Sequence, residues 1–271
     1  MLKRLDNHGD DKSKMTKRTL CTTAAVFGAV VAVPGGLVAQ DNCRHRAEIE
    51  LNAPATGNLT VDAGAGTLVV SGRDGLDGTR VTATLCASDE GRLEGLDVSL
   101  AGDRLDTHYP RSSVGGWFAR NRYARIDLVV EVPTGTNLRL EDTSGSVEIT
   151  GMGDVALRDG SGNALLRGAA SVVVQDGSGS LRIEDVADSI MVEDGSGSMR
   201  ILGVGGDVVI TDGSGSIEVG AVSGTVRING AGSGRVTVRD VAGDLVVTDT
   251  RRSRIRYSNI RGSLDLPPER R

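Results

Sequence analysis

The sequence predicts an all-β protein: a β-solenoid, right-handed and β-helix-like, made of 17–19-residue coils, with an N-terminal antiparallel β excursion. Three observations point there. The phrase Asp-Gly-Ser-Gly-Ser, followed by a short apolar alternation, recurs three times between residues 175 and 216. Apolar residues on either side of it fall into columns that repeat at a near-constant period. With 38 glycines and six aromatic residues among 271, the composition supplies turns and slim Val, Ile and Leu side chains rather than the filling of a bulky core.

Taken in order, residues 1–14 are polar and unlike the start of any export signal, which makes Met15 a candidate start. Met15-Thr-Lys-Arg then precedes the apolar run 19–33, shorter than the roughly 20 residues that cross a bilayer, and Pro34-Gly35-Gly36 follows. This reads as a secretory signal peptide cleaved after Ala39. Leu37 is larger than the residue such a site prefers, so retention as an uncleaved anchor stays open. The domain reading is 1–39 leader and signal peptide, 40–135 N-terminal β region, 136–266 solenoid repeats and 267–271 tail.

All four lysines precede Ala39, and the mature chain would carry 25 arginines against 33 acids, a net charge of −8. An acidic exported protein is a poor nucleic-acid binder, and no membrane span is expected once the signal is removed. Cys43 and Cys86 are the only cysteines after the signal, and an oxidising compartment favours a disulfide between them over two buried thiols. A zinc site joining them to His45 and His108 matches no ligand spacing. No cofactor is expected.

The repeat itself has two short strands per coil. One apolar column runs Val147/Ile149, Leu181/Ile183, Met199/Ile201, Ile217/Val219, Val236/Val238 and Ile255/Tyr257. A second runs Val155/Leu157, Val172/Val174, Ile190/Val192, Val208/Ile210, Val226/Ile228, Leu245/Val247 and Leu264/Leu266. Between them lies one more apolar residue per coil: Met152, Ala169, Val186, Val204, Val222, Val241 and Ile260. Such a unit closes no core alone, so neighbouring coils must stack. The uneven apolar gaps do not fit a left-handed hexapeptide helix.

Three readings compete for the Asp-Gly-Ser-Gly phrase. As a turn ladder, Gly supplies positive φ and Asp accepts a hydrogen bond from the backbone two residues on; this reading leads. As a metal ladder, Asp142, Asp159, Asp176, Asp194, Asp212 and Asp249 would stack as like charges that calcium relieves, but Gly230 interrupts the column and no nonapeptide calcium motif is present. As nucleophiles, Ser161, Ser178, Ser196 and Ser214 lack a nucleophile elbow.

Residues 57–72 read as an earlier coil, and 79–132 as the antiparallel excursion. Within it, Tyr109, Arg111, Trp117, Phe118, Arg120, Arg122, Tyr123 and Arg125 gather arginines and aromatics in a pattern suited to an anionic polymer, a glycan or a partner protein. The competing reading is a loop whose aromatics cover an open core end. Outward residues of the second strands, Ala156, Val173, Met191, Val209 and Val246, form an apolar stripe that the excursion is expected to cover, with self-association as the alternative.

The run IDLVVEVPTGTNLRLEDTSGSVEITG (126–151), followed by the repeated Asp-Gly-Ser-Gly-Ser-apolar phrase, resembles the bacterial putative-adhesin family of β-strand repeats, over about residues 45–266. The resemblance implies an exported or envelope-associated protein with no established catalysis, and some members of that family serve envelope stress systems. The functional expectation is a noncatalytic exported scaffold, periplasmic or at the cell surface, that binds an envelope protein or polymer. The alternative is a carbohydrate-active β-helix enzyme such as a polysaccharide lyase, which the short turns disfavour because they build no cleft.

Overall fold

The computed structural model describes residues 43–110 and 122–269; the leader and signal segment lie outside them. The N-terminal part contains β1 (His45–Pro54), β2 (Asn58–Arg73), β3 (Gly78–Ala87), α1 (Glu90–Glu94), β4 (Asp97–Ala101), β5 (Arg104–His108) and β6 (Ala124–Pro133). The repeats follow as β7 (Asn137–Thr150), β8 (Asp154–Asp159), β9 (Gly162–Ala169), β10 (Ser171–Val186), β11 (Ile190–Val204) and β12 (Val208–Asp212). They end with β13 (Gly215–Val222), β14 (Val226–Ala231), β15 (Val236–Val241), β16 (Leu245–Thr248), β17 (Ile255–Ile260) and β18 (Leu264–Asp265). Among the described residues no helix is long and apolar enough to cross a membrane.

The protein is a β-solenoid. Parallel pairing stacks Val155 on Val172, Val172 on Ile190, Ile190 on Val208, Val208 on Val226, Val226 on Leu245 and Leu245 on Leu264. The lengthening of the period along the chain is therefore real. Inward residues of both strand columns bury Val, Ile, Leu and Met almost completely, and the middle column from Met152 to Val241 closes the third side. Tyr257 and Leu264, expected inside, are 39% and 45% exposed. They belong to the last coil described, where no further coil covers them.

The first coil is β2, paired along its length with β7 across the inserted excursion: Leu59 meets Leu138 and Val70 meets Ile149. Strand β6 adds to the second half of β2 in parallel, β5 to its first half, and β3 and β1 then continue antiparallel. The excursion thus caps the N-terminal end, where Val81, Ala83, Leu85, Leu105 and Leu128 bury against the first coil. A solenoid needs such a cap because its terminal coil otherwise leaves its core open.

The Asp-Gly-Ser-Gly corner does not interrupt the ladder, as a simple chain reversal would. Asp176, Ser178 and Gly179 pair in register with Asp194, Ser196 and Gly197 inside continuous strands. Gly179 takes φ +142°, and a methyl there would run into the carbonyl oxygen of Gly162 in the coil below. Glycine is needed both for the dihedral and for the close approach of stacked backbones. A second left-handed position precedes each middle residue: Gly151, Gly168, Asp185, Gly203, Ala221, Asp240 and Asn259 all have φ between 53° and 72°.

The excursion does not cover the apolar stripe. Val173 and Met191 stay 47% and 49% exposed, because the excursion strands extend the stack end-on instead of folding over its flank. The stripe runs through four stacked side chains, Ala156, Val173, Met191 and Val209, and is bounded by Arg139 on one side and Arg227 on the other.

Candidate functional site

Two features stand out from the stacked coils: an outer groove flanked by polar columns and an inner column of carboxyls. The groove lies on the outer face of the first strands. One polar column runs Ser146, Asn163, Ser180, Ser198 and Ser216, each in register with the next. Beside it stand Glu148, Leu165, Arg182, Arg200, Glu218, Thr237 and Arg256. Period-two alternation puts all of these outward, and parallel stacking lines them up at about 4.8 Å per coil.

Between the two columns a shallow depression of about 470 Å³ is lined by Ser180, Ser198, Ser216, Arg182, Arg200 and Arg235. A second, of about 290 Å³, is largely apolar, with Val69, Val147, Ala164 and Leu165 beside Ser146 and Asn163, and meets the first at Ser180 and Arg182. Arg200 Nη1 donates to Glu218 at 3.0 Å, while its Nε is buried with no hydrogen-bond partner. Arg182 pairs with Glu184, which Arg167 also holds. This pairing pulls the Glu184 carboxyl below its usual range. The arginine forks are thus held in place by glutamates, while the serine hydroxyls remain exposed. The groove offers repeated hydroxyl and guanidinium donors to a long polar or anionic ligand.

The inner column runs Asp142, Asp159, Asp176, Asp194 and Asp212 in register. All five are buried. The Asx reading holds: Oδ1 of Asp159, Asp176, Asp194 and Asp212 accepts the N–H of Ser161, Ser178, Ser196 and Ser214 at 3.0–3.1 Å. Burial, and then the neighbouring Asp159, pushes Asp142 up to about 7. Burial, then Asp194 and Asp159, pushes Asp176 up to about 6. Asp159, Asp194 and Asp212 are raised as well, chiefly by burial. At about 5 Å and an effective dielectric of 20, two adjacent ionised members would repel by about 3 kcal/mol.

The column differs from the sequence alignment at its far end. Ala231, not Gly230, stands above Asp212, because Gly230 (φ +79°) is the extra residue of a bulge. Asp249 is exposed and Thr250 is buried in its stead. Among the described residues, no three His, Cys, Asp or Glu side chains are grouped so as to hold a metal ion. The two described histidines, His45 and His108, sit on β1 and β5 in the cap.

The arginine-aromatic segment is described only in part. Arg111, Trp117, Phe118 and Arg120 lie outside the described residues. Tyr109 packs its ring on Gly64 and donates its hydroxyl to the Ala65 carbonyl at 2.9 Å; burial raises it to about 12. The Tyr123 hydroxyl accepts the Arg44 N–H at 3.1 Å, and Arg125 pairs with Asp127 at 3.0 Å. Arg122 is exposed. Cys43 and Cys86 are joined, with Cα atoms 5.5 Å apart, tying the approach to β1 onto β3.

No family model matches the chain, and no curated protein does. Among solved structures, it is similar to a putative lipid binding protein from Parabacteroides distasonis, at 14% identity over 82% of this chain and 94% of that one, with a TM-score of 0.49. A putative adhesin from Bacteroides fragilis follows at 13% identity, 81% and 96% coverage and a TM-score of 0.42. A putative adhesin from P. distasonis has 12% identity, 80% and 97% coverage and a TM-score of 0.42. At these identities and scores, the functional argument rests on the chain's own residues.

Proposed function

We propose that this chain is a noncatalytic exported β-solenoid scaffold, periplasmic or at the cell surface, that binds an anionic envelope polymer along the outer face of its first strands. The observation that carries this reading is the groove in which the column of Ser180, Ser198 and Ser216 runs beside the braced Arg182 and Arg200. A ligand with a repeating anionic or hydroxyl group meets a donor at every coil. That match supports a polymer over a compact small molecule, since the groove is shallow and open. Export rests on the signal reading of residues 15–39. The segment from Tyr109 to Arg125 is a second proposed contact, through the exposed Arg122 together with Arg111, Trp117, Phe118 and Arg120; Tyr109, Tyr123 and Arg125 would support it from within the fold.

The test is a panel of acidic and neutral polysaccharides, scored both for retention of the protein and for absorbance of unsaturated products. Salt-sensitive retention of an acidic polymer without turnover is expected. Product formation would favour the lyase alternative, and retention only of proteins from envelope extract would replace the polymer with a protein partner.

A further inference from the structure

The binding face leaves the buried aspartates without a role. Asp142, Asp159, Asp176, Asp194 and Asp212 come from β7, β8, β10, β11 and β12, and each is between 4% and 8% exposed. Register pairing places each directly over the next. The column is bounded by side chains that bring no charge, Ala63 below Asp142 and Ala231 above Asp212. The titratable groups that face it are its own members and the partly buried Tyr109 hydroxyl at the Asp142 end. Among the described residues, no arginine or histidine forms an ion pair with any of the five.

At Asp159, Asp176, Asp194 and Asp212 a Ser N–H bonds one carboxyl oxygen. At Asp212 the second oxygen, Oδ2, is buried with no hydrogen-bond partner. A neutral carboxylic acid needs no counter-charge there and can donate a hydrogen bond, whereas a row of carboxylates at one-coil spacing repels itself.

We propose that the column is a proton-linked brace: at neutral pH it keeps one or more of its carboxyls in the neutral acid form, so acidification tightens the stretch from Asp142 to Asp212 and alkaline conditions loosen it.

The direction follows from linkage. A carboxyl that holds its proton more tightly in the folded chain than in the unfolded one makes the folded state the better proton binder. Its contribution is complete below the ordinary value of 3.8 and is lost as pH rises toward the folded value, about 7 for Asp142. Glu184, Asp244 and Asp89 are shifted the opposite way; they lose stability only below the ordinary carboxylate range. The window from pH 5 to pH 8 therefore excludes those three carboxyls, and comparison with a column variant separates the column from His45 and His108 in the cap, the side chains whose ordinary charge change falls in that window.

The experiment is thermal melting of the mature chain across that window, for wild type and Asp176→Asn. Asparagine keeps the acceptor for the Ser178 N–H and mimics the neutral acid. Wild-type Tm should climb by several degrees from pH 8 to pH 5, and D176N should start higher at pH 8 and climb less. Should the variant fail to fold, carbon-13 NMR titration of the wild-type aspartate carboxyls decides, with at least one midpoint expected near neutrality. A Tm that is flat or falls on acidification, an undiminished climb in D176N, or titration of every aspartate at its ordinary value would each overturn the brace.

Discussion

Replacing Gly179 with alanine should be among the most damaging single-methyl changes available in this chain. Two terms add. The first is the backbone: φ of +142° lies in a region that only glycine visits readily, and a side chain there is strained by about 1–3 kcal/mol. The second is steric, because the new Cβ would collide with the carbonyl oxygen of Gly162, a ladder atom that cannot move without disturbing the coil below. Overpacking of that kind adds about 1–3 kcal/mol. The expected loss is about 2–6 kcal/mol. Gly75 supplies the control inside the same molecule, since it has φ +74° and nothing within 4 Å of a built Cβ. Gly75→Ala should lose about 1–2 kcal/mol from the dihedral alone. Urea unfolding of the three proteins measures both values. If G179A and G75A lose the same amount, the stacked-glycine account of the corner is wrong.

Two further outcomes follow from particular residues. Ala221 is exposed and holds φ +55° at a position where three other coils use glycine, so Ala221→Gly should stabilise by about 0.5–1 kcal/mol in the same urea assay. Reducing Cys43–Cys86, which closes a 43-residue separation, should lower stability by about 4 kcal/mol on chain-entropy grounds, read by thermal melting with and without reductant.

The columns, the coil period and the in-register stacking were legible because period-two alternation leaves one face of every strand apolar, and the middle residues repeat at 17–19 positions. The Asx bond was legible too, from Asp two residues before Ser. The burial of those aspartates was not, because Asp is seldom inside and the local phrase looks the same at a surface turn. Gly230 was aligned with the column because counting residues from the preceding strand cannot reveal a bulge that shifts the register by one. Tyr257 and Leu264 have the right parity to point inward, but parity does not say whether another coil stacks above them. The groove is illegible for a similar reason. In the sequence Glu148, Arg182, Arg200 and Glu218 are isolated outward charges of alternating strands, and their alignment with the serine column exists only once the coils are stacked.

The binding face is tested most directly by titrating the protein with an acidic polysaccharide and comparing wild type with Arg182→Ala/Arg200→Ala at low and moderate salt. Both arginines are partly exposed, Glu184 keeps Arg167 as a partner when Arg182 is removed, and Glu218 keeps Arg239 when Arg200 is removed, so the double variant should melt close to wild type. Its affinity should fall by about tenfold or more, equivalent to about 1.4 kcal/mol, with a shallower dependence on salt. Unchanged affinity and salt dependence in a folded double variant would contradict the assignment of the groove.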